Sequence, residues 1–201
     1  ALLQALRGYR TSVDALALAW FGCQVAPQGR LRALDLGCGS GLVGILAATA
    51  REDSHWLLVD FQPQQLARAR RNLVLNGVAR RCVLVELDLA TGTPAGAFDL
   101  VLCNPPFRLA ERHPPSALRE RQLSNFESSA SLEHFVATAV ATLAPGGVAC
   151  FVYPWAGRER LRAAALAVGA TTTLCALHHQ ADRSPVRVLA ALTHDADVTP
   201  C

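Results

Sequence analysis

The chain has 201 residues, 51% of them hydrophobic, and carries 19 basic against 16 acidic residues for a net charge of +3. That length and apolar content suffice for one good core, so a single domain over 1–201 is expected, with residues 1–30 as a helical lead-in. No apolar stretch approaches a membrane span, and Arg7, Arg10 and Asp14 interrupt the beginning of the chain, so neither a transmembrane helix nor a signal peptide is evident and no membrane partner is expected.

Cys23, Cys38, Cys82, Cys103, Cys150, Cys175 and Cys201 stand singly, with no C-x-x-C pair. Several lie in apolar runs, where a free thiol behaves as a small hydrophobe. This pattern opposes a disulfide scaffold or zinc module and fits a reduced, cytoplasmic protein. All 19 basic residues are Arg. Guanidinium is the better fork for phosphate, and the mild positive charge permits a nucleic-acid partner without requiring one.

In chain order, Thr11 or Ser12 caps a first helix whose Val13, Leu16, Ala17 and Trp20 are expected to face the core. Residues 31–36 read as a buried strand, followed by a glycine turn and a helix over 42–50. A second strand covers 56–60. Pro63 then opens a helix with Leu66, Ala69 and Leu73 on one face and Gly77 at its end. Strands are predicted at 82–86 and 98–103. A helix over 128–144 sets Leu132, Phe135, Val136, Ala139, Val140 and Leu143 at helical spacing and stops at Pro145-Gly146-Gly147. Strands follow at 148–153, 171–177 and 186–192. The polar link 180–185 is too short for a crossover helix, so the last strand is antiparallel to its predecessor. The alternation predicts an α/β fold: a doubly wound, mostly parallel, seven-stranded sheet of Rossmann-like type.

Two segments carry chemistry. Leu34-Asp35-Leu36-Gly37-Cys38-Gly39-Ser40-Gly41 puts glycines at the first strand-to-helix turn, where the backbone bends sharply and a ligand approaches closely. Asp60 ends the second strand, where a carboxylate accepts both hydroxyls of a ribose. Asp88 follows the third and suits an adenine amine or, equally, a turn. Asn104-Pro105-Pro106-Phe107 ends the fourth strand. Its prolines lack N–H donors, so an amide oxygen, a free carbonyl and a ring converge, which suits a planar molecule bearing an exocyclic amine. Gly39-Ser40-Gly41-Leu42-Val43-Gly44 is also a literal dinucleotide fingerprint. Two features weigh against that reading: a pyrophosphate site avoids a carboxylate such as Asp35 beside it, and hydride chemistry does not need Asn104-Pro105-Pro106-Phe107.

Residues 34–44, Asp60, Asp88 and 104–107 together resemble the class I S-adenosylmethionine-dependent methyltransferases, in the branch that methylates planar amino groups. A narrower likeness, to bacterial tRNA(Val) adenine-N6 methyltransferases, rests on Gly8-Tyr9-Arg10-Thr11-Ser12-Val13-Asp14, Phe126-Glu127 and Val186-Arg187-Val188-Leu189. The resemblance implies S-adenosylmethionine as cofactor, held by Tyr9, Arg10, Thr11, Asp35, Gly37, Cys38, Gly39, Gly41, Asp60, Phe61, Asp88, Leu89 and Asn104. It implies catalysis by Asn104, Pro105, Pro106 and Phe107 on an RNA substrate, tRNA favoured. Arg108, Arg112, Arg119 and Arg121 follow as candidate phosphate contacts, or as a solvated loop. Phe107 departs from the Tyr more usual in that group and matches rRNA guanine-N2 enzymes. Guanine-N2 and protein glutamine-N5 methylation therefore stay open, as do a non-catalytic cofactor and RNA module and a nicotinamide-dependent oxidoreductase. His113, His134, His178 and His179 are read as surface or core residues, without metal-ligand spacing to the cysteines.

Overall fold

The computed structural model describes residues 1–3, 13–106, 130–178, 180 and 182–194. Its helices and strands run α1 (Val13–Val25), β1 (Leu31–Leu36), α2 (Leu42–Ala50), β2 (Ser54–Asp60), α3 (Pro63–Leu75), β3 (Cys82–Glu86), β4 (Phe98–Cys103), α4 (Leu132–Ala141), β5 (Leu143–Pro154), α5 (Arg158–Ala167), β6 (Thr171–Leu177) and β7 (Arg187–Thr193). The strands form one sheet in the order β3-β2-β1-β4-β5-β7-β6. β1 to β5 pair in parallel, and β7 runs antiparallel to both of its neighbours. This is the predicted architecture. The order reverses between β1 and β4, the switch point at which open α/β sheets bind ligands.

Strand alternation splits the core into two halves. Leu31 and Ala33 of β1 and Leu100 and Leu102 of β4 pack on one face, beneath α1, α2 and α3. Leu34 and Leu36 of β1 and Val101 and Cys103 of β4 pack on the other, beneath α4 and α5. Both faces are covered, which explains why the central strands read as continuous apolar runs.

Three expectations need correction. On α1, Val13, Leu16 and Trp20 are exposed, Trp20 by 64% of its surface, while Ala15, Leu18, Ala19, Phe21 and Gly22 are buried. Ala17 packs only partly. This helix is apolar nearly all round, so periodicity cannot select its inner face; the small residues at 15, 19 and 22 can approach the sheet, and Trp20 cannot. The fourth helix starts at Leu132 and ends at Ala141, so Leu143 belongs to a strand. Ser131 caps it, accepting from the His134 amide while the His134 ring receives the Ser131 amide.

The third correction concerns Pro145-Gly146-Gly147, which lies inside β5 and not in a loop before it. Phe98 pairs with Leu143 and Leu100 with Val148, so the residues between them form a bulge. Gly147 is needed there: a Cβ would stand 2.7 Å from the Phe98 carbonyl. The proposed cap at Thr11 or Ser12 lies outside the described residues, as do residues 128–129 of the predicted helix.

Asp14 and Arg187 close the molecule across the whole chain. Arg187 Nε donates to Asp14 Oδ2 at 3.0 Å, joining the first turn of α1 to the start of β7. Among the described residues, no helix is long and apolar enough to cross a membrane.

Candidate active site

Strand register sets three candidate residues in a row. Leu36 pairs with Val59 on one side and with Cys103 on the other, so Gly37, Asp60 and Asn104 follow at one level on adjacent strands. Neighbouring strands lie about 4.8 Å apart, which separates the Asp60 and Asn104 backbones by roughly 10 Å. Asp88 and Leu89 extend the row beyond Asp60, after the edge strand β3. The line from β3 to β4 thus carries Asp88, Asp60, the glycine turn and Asn104, all at the carboxyl ends of their strands.

The glycine turn is tied to β2. The amides of Gly37 and Cys38 both donate to the Val59 carbonyl at 2.9 Å, and the Gly39 amide donates to Asp60 Oδ2 at 2.8 Å. Gly39 has φ +55°, and among the described residues nothing beyond its chain neighbours lies within 4 Å of where its Cβ would be. The described residues therefore leave the turn open above Gly39, where a ligand can meet its backbone.

Asp60 is 8% exposed. Oδ2 accepts the Gly39 amide, and Oδ1 accepts the Gln62 amide at 2.9 Å. Burial raises its carboxyl above the usual range, opposed by the amides of Gln62, Gly39 and Phe61. An ionised carboxylate offers about four lone-pair sites, so these two amides leave acceptor capacity for ligand hydroxyls. Phe61, next in the chain, is half-buried.

Asp35 is 1% exposed and accepts the Gly44 amide at Oδ2, 2.7 Å away. Burial pushes its carboxyl up to about 7, the Gly44 bond opposes this, and the charge of Asp60 adds to it. The contact seen here is a brace on the first turn of α2. It also answers the dinucleotide alternative. The amides of Gly37, Cys38, Gly39 and Gly44, where such a fold would gather pyrophosphate, already serve the protein's own acceptors.

Cys38 is buried, and its Sγ donates weakly to the Gly39 carbonyl at 3.7 Å. Burial and the nearby carboxylates of Asp35 and Asp60 raise its thiol well above the ordinary range, so it stays protonated and unreactive. Gly41 turns with φ +83° against Ala69 of α3. Asp88 is half-buried; its Oδ1 accepts the Ala90 amide at 3.0 Å and its carbonyl accepts Thr91 and Gly92, which closes a turn after β3.

Asn104 is half-buried with a fully screened Oδ1, Pro105 is buried and Pro106 is exposed. Phe107, Arg108, Arg112, Arg119 and Arg121 lie outside the described residues, as do Tyr9, Arg10, Thr11, Phe126, Glu127, His113 and His179. His134 serves as the helix-capping partner already described, and His178 Nδ1 lies 2.6 Å from the Arg183 carbonyl.

Sequence reasoning passed over Asn72, which donates to the Ser40 carbonyl of the glycine turn at 2.9 Å. The available signal was its place on the apolar face of α3, between Ala69 and Leu73. A polar residue there needs buried partners.

The acceptors and the open turn fit an elongated ligand with a ribose, an amino-acid end and an aromatic base. Ligand hydroxyls suit the acceptor capacity left on Asp60, whereas Asp35, 1% exposed and bonded to the Gly44 amide, faces the protein.

Comparison with known proteins agrees with this geometry. The methyltransferase small domain family matches residues 23–156. The tRNA1(Val) (adenine(37)-N6)-methyltransferase of Aliivibrio salmonicida is 29% identical over 152 residues, which cover 75% of this chain and 62% of that protein. The ribosomal RNA large subunit methyltransferase G of Pseudoalteromonas translucida is 35% identical over 104 residues, 51% of this chain and 27% of that protein. The chain thus spans less than two thirds of the length of these relatives. Among solved structures, the precorrin-6y C5,15-methyltransferase of Geobacter metallireducens superposes with TM-score 0.65 at 17% identity, covering 95% of this chain and 92% of that one.

Proposed function

This chain belongs to the methyltransferase small domain family, and from that premise we propose that it methylates an exocyclic amino group of a base in RNA, adenine N6 of a tRNA before any other. The observation that carries the reading is the level row of Gly37, Asp60 and Asn104 on adjacent strands. In this reading the row sets residues proposed to hold the cofactor beside the residue proposed to accept the amine. The likeness to a tRNA adenine-N6 methyltransferase supports the choice of substrate.

S-adenosylmethionine supplies, when bound, a methyl group already activated on a sulfonium. The protein's task is then positioning and electrostatics. Asp60 accepts the ribose hydroxyls, Asp88 with Leu89 borders the adenine, and the turn from Gly37 to Gly41 carries the amino-acid end. Phe61 packs beside the ribose and adenine, and Tyr9, Arg10 and Thr11 complete the cofactor contacts. Asn104 Oδ1 and the Pro105 carbonyl accept the two N–H bonds of the substrate amine and favour its pyramidal form. Pro105 and Pro106 offer no competing backbone donor at that spot. Phe107 stacks on the base, and Arg108, Arg112, Arg119 and Arg121 take the RNA phosphates. Such substrates put the protein in the cytoplasm.

A second reading, rRNA guanine-N2 methylation, is favoured by Phe107 and by the higher local identity to the rRNA large subunit methyltransferase. One experiment separates the two. The chain is incubated with methyl-labelled S-adenosylmethionine and with tRNA, rRNA and protein fractions, and the products are digested. Label in N6-methyladenosine from tRNA is expected. Label in N2-methylguanosine from rRNA selects the second reading, label in protein glutamine overturns both, and cofactor binding without any label leaves a non-catalytic module.

A further inference from the structure

Asn72 of α3 has no exposed surface, and its side-chain amide reaches two distant parts of the chain. Nδ2 donates to the Leu3 carbonyl at 3.0 Å and to the Ser40 carbonyl at 2.9 Å. Oδ1 accepts the Leu3 amide at 2.7 Å. One turn later, at the residue capping the C-terminus of α3, Asn76 Nδ2 donates to the Ala1 carbonyl at 2.7 Å. Both backbone groups of Leu3 thus pair with a single amide, as a residue pairs with a neighbouring strand. These bonds read backbone only, so they hold the segment's course whatever its side chains.

Ser40 belongs to the glycine turn. Beside it, a Cβ on Gly41 would stand 3.2 Å from the Ala69 methyl. The turn is therefore seated on α3 at two points, by contact at Ala69 and by hydrogen bond at Asn72. A carboxamide suits that junction because it carries two donors and one acceptor in one plane. A carboxylate would oppose the two carbonyls, and an aliphatic side chain of similar size would leave three part-buried backbone groups without this partner.

We propose that Asn72 is a positioning residue that couples docking of residues 1–3 to the shape of the cofactor-binding turn. The inference rests on the cofactor assignment made above and adds a determinant to that same site. Coupling of this kind is reciprocal: the ligand tightens the segment, and loosening the segment weakens the ligand.

The test measures S-adenosylhomocysteine binding by calorimetry for the full chain, for Leu3→Pro and for Asn72→Ala, with hydrogen exchange at the Leu3 amide of the unmodified chain. Leu3→Pro removes the N–H that Asn72 Oδ1 accepts and leaves that buried oxygen unpaired, so a modest fall in ligand-free melting temperature is expected and affinity is compared on the folded variant. Its affinity should fall about three- to tenfold, as expected for one hydrogen bond, and Asn72→Ala should lose more. The Leu3 amide should exchange more slowly once ligand is added. A purely structural Asn72 would lower the melting temperature of Asn72→Ala but leave Leu3→Pro affinity and Leu3 exchange untouched, and that result overturns the coupling. Should Asn72→Ala not fold, the other two measurements decide. If the unmodified chain binds no S-adenosylhomocysteine, the cofactor assignment fails and the coupling falls with it. If it binds tightly and Leu3→Pro binds equally well, the coupling alone fails.

Discussion

At Asp60, backbone amides hold a carboxylate that burial disfavours, and its remaining acceptor capacity is what the proposed ribose would use. Asp60→Ala is expected to cost about 1.5–3 kcal/mol of S-adenosylhomocysteine affinity, tenfold or more, through loss of charge-assisted bonds. Calorimetry on a variant that melts cooperatively checks this, and undiminished affinity would put the ribose elsewhere. Asn104 makes a different prediction because, in the proposed role, it acts on the substrate amine. Asn104→Ala should bind cofactor normally and turn over roughly 10²–10³-fold more slowly, the usual effect of removing one preorganised partner of a transition state. Near-normal turnover would remove the amine-acceptor role. Asp35 predicts a pH dependence. Its folded carboxyl titrates at about 7, above the unfolded value of 3.8. The folded state therefore binds the proton more tightly, so this group's contribution is full below about pH 4 and is lost as pH rises through 7. Denaturant titrations of the unmodified chain and Asp35→Asn should diverge over that window, with the unmodified chain losing ground as pH rises; parallel curves would contradict the burial argument.

Among the elements, α4 illustrates how a helix start is chosen. The periodicity of residues 128–144 does not mark where the backbone turns; Ser131 does, because its hydroxyl accepts the His134 amide. Ser131→Ala should lower stability by about 0.5–2 kcal/mol, the ordinary cost of losing an N-cap, as read by urea unfolding. No loss would mean that packing of Leu132, Phe135 and Val136 alone sets the boundary. The nearby ion pair of Glu133 and Arg160, which joins α4 to α5 at 2.8 Å, is about half exposed and adds little. β5 shows the converse case. Proline and two glycines usually end an element, yet here they form a bulge because Phe98 captures Leu143 before the strand proper.

Across the whole molecule, the contact between Asp14 and Arg187 ties the two ends of the described chain together. Both residues fall within segments that carry the resemblance to tRNA(Val) adenine-N6 methyltransferases, and the fold brings those segments into contact. Asp14 is buried and Arg187 half-buried, so the pair is better shielded than a surface bridge. Asp14→Ala should cost about 1–3 kcal/mol of stability, and a charge-preserving Asp14→Glu should recover part of it. Equal unfolding midpoints for Asp14→Ala and the unmodified chain would show that α1 is held by its apolar contacts alone.

The sequence by itself determined the alternation of strands and helices, the seven strands, the antiparallel final pair and the location of the glycine turn. Each depends on local pattern: apolar runs of strand length, proline and glycine at element ends, a link too short for a crossover. It also marked Asp60, Asp88 and Asn104 as strand-end residues, since a position at the end of an apolar run is legible without knowing its neighbours. Only the tertiary structure decided which neighbours those residues have. Asp35 reads as a cofactor contact until α2 is laid across β1 and its carboxylate is seen to accept the Gly44 amide. The inner face of α1 is set by which residues are small enough to meet the sheet, which an almost uniformly apolar helix cannot announce. Asn72 looks like one more polar residue of α3 until Leu3 and Ser40 arrive from either side. These are pairings between segments distant in sequence, and their energies depend on burial that exists only once the chain has folded.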